Sequence, residues 1–321
     1  MSAAPFQRAL VIRGGALGDF LLTLPVLHAL RTAAPAARLE VLAYPGLAGL
    51  AKSAGVINDV RSIEYGPLAG FFTRGSVLDP ELRDYFASFD LIISYLYDPD
   101  GIFEENLRAA GASRIVTGPH RPAATSHAID QLASPLAELG LPLTGRASRL
   151  KVGSVAHDAP TIALHPGSGS PRKNWPADRW RQLAAQLLAA DPALHLAVIG
   201  GEADAAPLEA LREFAESPRV IFWENLPLIE LAARLAGAAF YVGHDTGISH
   251  LAATAGTPCL LLFGPTDPGV WSPPHDHVRV LRAPNGKLEE LPVLSVMAAL
   301  RPFLSATRLA SGGGVFDNTP A

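Results

Sequence analysis

The 321-residue chain has a single cysteine, Cys259, so an internal disulfide and a cysteine-based metal cluster are both excluded. Cys259 lies in an apolar run, which favours a buried structural thiol. No stretch reaches the roughly 18 uninterrupted apolar residues that a membrane-spanning helix needs. A secretory signal pattern is also missing, because Arg13 and Asp19 interrupt the apolar stretch near the amino terminus. We therefore expect a soluble, cytoplasmic protein.

The chain has no excess of positive charge either. It carries 26 basic and 30 acidic residues, for a net charge of −4, and neither half is basic enough to follow a phosphate backbone. We therefore expect no nucleic-acid partner. Lysine is especially scarce: the basic residues are arginines except for Lys52, Lys151, Lys173 and Lys287. A lysine in a loop is consequently unusual in this chain.

Hydrophobic residues make up 49% of the chain and charged residues 17%, which excludes a disordered protein. The length suits two domains of about 150 residues each. Short β-rich runs alternate with amphipathic stretches, a pattern typical of α/β folds with parallel sheets. It predicts strands at residues 9–13, 39–44, 60–63, 91–95 and 114–117, then at 161–165, 195–199, 219–222, 240–243, 259–263 and 278–281. It predicts helices at residues 17–31, 102–110, 180–190, 208–215 and 228–236.

The domain boundary is predicted near residue 150, where residues 141–148 and 155–160 lack a helical or strand period. Residues 1–150 would form one domain and residues 151–310 the other. We expect the final helix, about residues 288–305, to pack back on the first domain and residues 311–321 to form a flexible tail. Parallel-sheet domains bind ligands at the carboxyl ends of their strands, so the cleft between the two domains is the expected site.

The first loop that points to chemistry is the glycine-rich turn at residues 14–19 (GGALGD). It is not a dinucleotide fingerprint, because Arg13 occupies the place of the first glycine and no acidic residue ends the second strand. What remains is a tight turn that brings the backbone close to a ligand. Asp19 is either a first-turn acid stabilised by the helix dipole or a general base in the cleft.

The second loop, residues 165–176 (HPGSGSPRKNWP), follows a predicted strand and is rich in Gly, Ser and Pro. Small residues present N–H and O–H donors at short range, as phosphate oxygens require. Lys173 adds a point charge, although the spacing of a P-loop is absent. The alternative is an ordinary connecting loop with a surface lysine.

The third loop, residues 243–250 (GHDTGISH), leads from a strand into a helix. Asp245 or Thr246 can cap that helix, and its free N–H groups form an anion site. His250 lies one turn further and either faces the same anion or is a surface histidine. No pair of histidine or acidic residues has metal-ligand spacing, so we expect no metal.

Taken in order, Gly18-Asp19, the HPGS and Lys173-Asn-Trp-Pro176 segments, residues 245–250 (DTGISH) and residues 263–266 (FGPT) resemble glycosyltransferase family 9, over residues 8–305. The family contains the heptosyltransferases of lipopolysaccharide core assembly. The resemblance implies a GT-B fold, in which two Rossmann-like domains face each other across a cleft. It also implies an acceptor-binding first domain, a donor-binding second domain, and metal-free transfer of heptose from ADP-heptose with inversion. No cofactor is implied beyond this donor.

Carried over to this sequence, the resemblance makes Asp19 the general base that deprotonates the acceptor. Ser168 and Lys173 match residues on the donor phosphates, and Glu202 matches the acid that binds the ribose. Leu226, next to Asn225, is placed near the adenine. The remaining matches form the sugar and diphosphate site: Asp245, Thr246, Gly247 and His250.

The acceptor side is the least specific part of the resemblance. Exposed arginines suit an acidic, phosphorylated core sugar, and they equally suit a solvated face. We assign Phe71 and Phe72 to a surface that contacts the inner face of the cytoplasmic membrane, where a lipid-linked acceptor would lie; a soluble glycan acceptor is the other option. We expect a monomer. The candidate acceptor residues are Arg61, Arg74, Arg114 and Arg121.

Two alternatives to a heptosyltransferase stay within enzymes: a family relative that uses another nucleotide-activated sugar, and a nucleotide-sugar epimerase of similar architecture. A third is a non-catalytic sugar-nucleotide binding protein. Asp19 argues against this third option, because a binding protein has no need of a base there.

Overall fold

The computed structural model describes residues 5–201 and 204–311. Its first half contains a parallel sheet with the strand order β3-β2-β1-β4-β5. The strands are β1 (Arg8–Arg13), β2 (Arg38–Ala43), β3 (Asp59–Ser62), β4 (Leu91–Ser94) and β5 (Ile115–Thr117). The helices are α1 (Leu17–Ala33), α2 (Ala48–Ser53), α3 (Pro80–Ala87), α4 (Ile102–Ala109), α5 (Ala128–Leu132) and α6 (Ser134–Glu138).

The second half contains another parallel sheet, with the strand order β11-β10-β9-β6-β7-β8. Its strands are β6 (Thr161–Leu164), β7 (His195–Gly200), β8 (Val220–Glu224), β9 (Phe240–His244), β10 (Cys259–Phe263) and β11 (Val278–Arg282). Its helices are α7 (Ala177–Ala190), α8 (Ala205–Glu209), α9 (Leu228–Gly237), α10 (Gly247–Ala255), α11 (Pro268–Trp271) and α12 (Val293–Ser311).

Both sheets are buried between helices, which explains why their central strands are apolar without alternation. The predicted strands are confirmed to within two residues at each end. One predicted helix is shorter than expected: residues 208–215 divide into the end of α8 and a 3₁₀ turn at Arg212–Phe214. The predicted α/β fold class, with two Rossmann-like parallel sheets, is confirmed.

The strand orders determine where ligands can bind. In the first sheet the order reverses between β1 and β4, and in the second between β6 and β9. At such a switch point the loops leave the sheet in opposite directions and open a crevice at the carboxyl ends of the strands. The loops after β1, β6 and β9 therefore border these crevices, and they are the three loops singled out in the sequence.

The described side chains of the final helix, α12, pack on the second domain. Val293, Val296 and Leu300 share an apolar cluster with Trp180 and Leu183 of α7. This differs from the expected packing on the first domain, because the apolar face of α12 is already covered by α7. The domain boundary at residue 150 stays a prediction, and residues 312–321 of the predicted tail lie outside the described residues.

The two domains meet through α1 and α10. One apolar cluster continues from Leu21 and Leu24 of α1 to Leu251 of α10 and Leu231 of α9. Across the described ranges, none of the helices has the length and apolar character needed to cross a bilayer.

Candidate active site

A cavity of about 480 Å³ lies between the two domains, where the loops after β1, β6 and β9 meet. Residues from both sheets line it, so neither domain alone forms the site. Among the residues predicted from the sequence, the cavity is lined by Asp19, Arg121, Ser168, Lys173, Asp245, Thr246, Gly247 and His250. Its wall also includes Ala16, Gly18, Leu22, Thr266 and Trp271.

Asp19 occupies the first turn of α1, and both of its carboxylate oxygens are engaged. Oδ2 accepts a hydrogen bond from the backbone N–H of Ala16 (2.9 Å), and Oδ1 accepts one from Arg13 Nη2 (3.2 Å). The side chain is still 34% exposed. Each oxygen has a second lone pair, so the carboxylate can accept a further proton from the cavity. Asp19 is thus a helix-capping acid whose geometry also suits a base.

Arg13 is a site residue to which the sequence reasoning assigned no role in the site, using it only to exclude a dinucleotide fingerprint and a signal pattern. Its guanidinium is 2% exposed and also donates to the backbone oxygens of Asp19 (3.3 Å) and His120 (3.1 Å). Burial lowers the pKa of Arg13, and the Asp19 carboxylate opposes this shift. The available signal was an arginine that ends an otherwise apolar run, residues 9–12, and is followed six residues later by Asp19. Arg13 thus links the Asp19 carboxylate to the segment that follows β5.

Lys173 and Asp245 join the loops after β6 and β9. Lys173 Nζ donates to Asp245 Oδ2 at 2.8 Å, and the Asp245 side chain is only 9% exposed. The ammonium therefore lies at a defined position in the cavity. Ser168, in the same loop, donates from Oγ to the backbone oxygen of Ser170 (2.7 Å) and contacts Asn174 Oδ1.

The amino terminus of α10 opens into the cavity. The Thr246 hydroxyl caps the helix by accepting from the Ser249 N–H at 3.3 Å. The preceding amides, which have no partner within the helix, make this helix end favourable for an anion.

His250 lies on the first turns of α10 and is 6% exposed. Burial lowers its pKa, and the neighbouring Asp245 carboxylate only partly opposes this effect. The imidazole is therefore neutral at pH 7. It can offer a ring N–H to the cavity that it lines, but no positive charge.

The two domains contact each other at a pair of glycines, Gly18 and Gly247. A Cβ added at Gly247 would lie 2.9 Å from the backbone nitrogen of Gly18 and 3.0 Å from the Leu17 Cβ. A Cβ at Gly18 would meet its nearest atom, the Gly247 Cα, at 3.5 Å, an ordinary contact.

We expect Gly247→Ala to destabilise the protein by about 1–3 kcal/mol and to lower activity, because the added methyl group separates the helix ends that face the cavity. Gly18→Ala is the matched control and should be close to the wild type. Thermal unfolding and initial rates check both variants. Equal behaviour of the two would contradict this account of the contact.

The predicted adenine region forms a smaller, apolar cavity of about 130 Å³. Leu226, Leu228 and Ile248 line it, together with His165. Asn225 adopts a positive φ of 50°, which turns the chain sharply after β8. Ile248 directly follows Thr246 and Gly247, which line the cavity between the domains. Glu202, the predicted ribose ligand, lies outside the described residues.

Of the four candidate acceptor arginines, only Arg121 lines the cavity between the domains. Arg61 pairs with Glu81 (2.6 Å) and its guanidinium lies over the Tyr85 ring, so it is already engaged. Arg74 is exposed in the segment before α3.

Arg114 and Phe71 differ from the expectation. Arg114 precedes β5, and its carbonyl pairs with Ile92 near the start of β4, so it lies at the amino edge of the sheet, opposite the cavity. This placement removes the geometric reason for assigning it to the acceptor. Phe71 is fully buried, whereas Phe72 is 45% exposed and stacks on Phe103. The expected exposed pair is therefore a single exposed ring.

Comparison with known proteins agrees with this architecture. Residues 120–299 match the model of glycosyltransferase family 9 (heptosyltransferase). Lipopolysaccharide heptosyltransferase 1 of Escherichia coli K12 is 36% identical over 131 residues, which cover 40% of this chain and 39% of that protein. The chain matches less than half of the length of each of the curated heptosyltransferases to which it is similar.

Two solved structures share the fold over nearly the whole chain. The family 9 glycosyltransferase from Veillonella parvula has a TM-score of 0.75 at 18% identity, covering 94% of this chain and 97% of that one. The E. coli heptosyltransferase WaaC with ADP has a TM-score of 0.72 at 22% identity, covering 92% and 99%. With the family match spanning more than half of the sequence, the chain belongs to glycosyltransferase family 9.

Proposed function

We propose that the protein transfers a heptose from ADP-heptose to a lipopolysaccharide inner-core or related glycan acceptor, with inversion and without a metal. The observation that carries the proposal is the composition of the cavity between the domains. Its first-domain wall presents a carboxylate, and its second-domain wall presents an ammonium group, a ring N–H and a helix amino terminus. The relatives support the choice of sugar, because they are named lipopolysaccharide heptosyltransferases.

The second-domain wall would bind the donor diphosphate. As the glycosidic bond breaks, negative charge grows on the leaving phosphate oxygen, and donors already in position stabilise it. Lys173 supplies a full charge, the first amides of α10 supply partial charge, and His250 supplies a neutral N–H. Asp245 orients Lys173 through their ion pair, and it would contact the transferred sugar.

The first-domain wall would supply the base. Asp19 takes the proton from the acceptor hydroxyl while that oxygen bonds to the anomeric carbon, and the bond to the diphosphate breaks on the opposite face. Inversion requires the base and the leaving group on opposite sides of the sugar, and the location of Asp19 and Lys173 on opposite walls of the cavity supports this proposal. Arg121 is the cation best placed to meet an acidic acceptor.

A calorimetric screen of ADP-, UDP-, GDP- and dTDP-sugars tests the donor assignment. We expect ADP-heptose to bind most tightly and to be consumed only when a glycan acceptor is added. Preference for another nucleotide would indicate that this protein is a family member with a different nucleotide-activated sugar as its donor. Conversion of a nucleotide sugar without any acceptor would instead indicate an epimerase.

Metal independence has its own test. Within the described residues, no three His, Cys, Asp or Glu side chains are grouped so as to hold a metal ion. We expect the transfer rate to stay unchanged in excess EDTA, with a metal-dependent glycosyltransferase assayed in parallel as the control. A rate that falls in EDTA and recovers on adding a divalent cation would refute this prediction.

We further propose that the enzyme works as a cytoplasmic monomer that contacts the inner membrane face peripherally. Light scattering of the purified protein measures its mass in solution. Flotation with anionic vesicles measures membrane binding, and Phe72→Ser should reduce it if the exposed ring is the contact.

A further inference from the structure

The loop between β6 and α7 carries Ser168 and Lys173, and both of its ends contact one buried side chain of another strand. His244, the last residue of β9, is fully buried. The Trp175 N–H donates to His244 Nε2 at 2.8 Å, and His244 Nδ1 lies 3.2 Å from the Gly167 carbonyl oxygen. Because Nε2 accepts, the ring proton is on Nδ1, which donates to Gly167.

The surroundings of His244 keep it neutral. Burial lowers its pKa to about 3; its bond to the Gly167 carbonyl and the Asp204 carboxylate oppose the shift, and His165 adds to it. The Trp180 ring packs edge-on against the imidazole at 5.3 Å. A neutral imidazole has one donor and one acceptor, and here both go to the backbone of the same loop.

The rest of this loop has few anchors of its own. Gly169 and Arg172 are exposed, and Gly169 adopts a positive φ of 65°. Within the loop, Ser168 bonds to Ser170 and Asn174, which are also loop residues. The position of Lys173 relative to α10 thus depends on its bond to Asp245, on the two backbone bonds to His244 and on the buried Trp175 ring, whose Nε1 donates to the Leu291 carbonyl at 2.9 Å.

We propose that His244 is a positioning residue of the donor site, which holds the phosphate-binding loop across the amino terminus of α10. It acts through Gly167 and Trp175 and touches no substrate itself. His244 directly precedes Asp245 and Thr246. The end of β9 therefore orients Lys173 through Asp245, the loop through His244, and the start of α10 through the Thr246 cap. The identity of the bound ligand rests on the proposed function; the holding of the loop does not.

The loop contains a built-in reporter, because trypsin cleaves after Arg172 and Lys173. Native-state cleavage follows the population of the locally open form. We expect His244→Leu to be cut in this loop about tenfold faster than the wild type, since a buried N–H and a carbonyl lose their partners. His244→Gln should stay close to the wild type, because an amide can both donate and accept.

His157→Leu is the matched control. His157 belongs to the same domain, and its Nε2 bonds to the Arg234 carbonyl at 2.9 Å, away from the loop. The same chemical change there should leave the cleavage rate in the loop unaltered. Mass spectrometry of the fragments identifies the bond that is cut.

ADP binding by calorimetry is the second readout. We expect His244→Leu to bind ADP about tenfold more weakly and His244→Gln to bind it like the wild type. In the transfer assay, the KM for the donor should rise while the KM for the acceptor stays constant. A general loss of folding would change both KM values or neither.

The outcomes separate the two proposals. If His244→Leu shows wild-type cleavage and wild-type ADP affinity, or if His244→Gln behaves like His244→Leu, the role of His244 is refuted. If the loop is released in His244→Leu but the wild type binds no nucleotide, the role of His244 in holding the loop stands and the donor assignment fails.

Discussion

Asp19→Asn is expected to lower kcat by about 10²–10⁴-fold, the usual contribution of a general base. The amide has the size of the carboxylate and can still accept from the Ala16 N–H, but it cannot take the acceptor proton. ADP affinity should be nearly unchanged, because Asp19 lies on the first-domain wall of the cavity. Initial rates with saturating donor and calorimetry with ADP measure the two quantities separately.

The variant also leaves the buried guanidinium of Arg13 without its carboxylate, so unfolding must be measured alongside activity. Asp79→Asn is a suitable control, since Asp79 caps α3 in the same domain by accepting from the Leu82 N–H at 3.0 Å. Asp79→Asn should lower the free energy of unfolding by the cost of a weakened helix cap, without loss of transfer activity. Substantial transfer by a folded Asp19→Asn enzyme would disprove the assignment of the base.

Lys173→Met is expected to weaken donor binding by about 1.5–3 kcal/mol, or roughly 10- to 150-fold, through loss of a charge-assisted hydrogen bond. The substitution keeps the unbranched chain as far as Cε and removes the charged terminal nitrogen. Calorimetry with ADP and with the nucleotide sugar measures the effect. Lys287→Met is the control, because Lys287 is an exposed lysine of the same domain that pairs with Glu290 at 3.5 Å.

Part of the Lys173 effect can arise from Asp245, which loses its partner while nearly buried. The double variant with Asp245→Asn separates the two contributions. If donor affinity in Lys173→Met equals that of Lys287→Met, Lys173 does not bind the diphosphate.

The sequence predicted the strands well because each buried strand of a parallel sheet is a short apolar run bounded by glycine, proline or polar residues. Loop position followed from the same pattern, since every strand of such a sheet ends at the same edge. Asp19, Lys173 and Asp245 could therefore be assigned to one cleft before any contact was known. Their meeting in one cavity agrees with that reasoning.

What a side chain contacts was not predictable in the same way. Arg61 and Arg121 look alike in sequence, yet one is paired with Glu81 and the other lines the cavity. Adjacent Phe71 and Phe72 have opposite environments, because neighbouring residues of a 3₁₀ segment face different directions.

The sequence alone determined the two parallel sheets, the three loops at their carboxyl edges and the scarcity of lysine that drew attention to Lys173. Only the tertiary structure decided the charge state of His250, the pairing of Arg13 with Asp19 and the contacts of His244. These properties depend on burial and on partners far apart in the chain. Local sequence patterns record the period of an element, but not the element that packs against it.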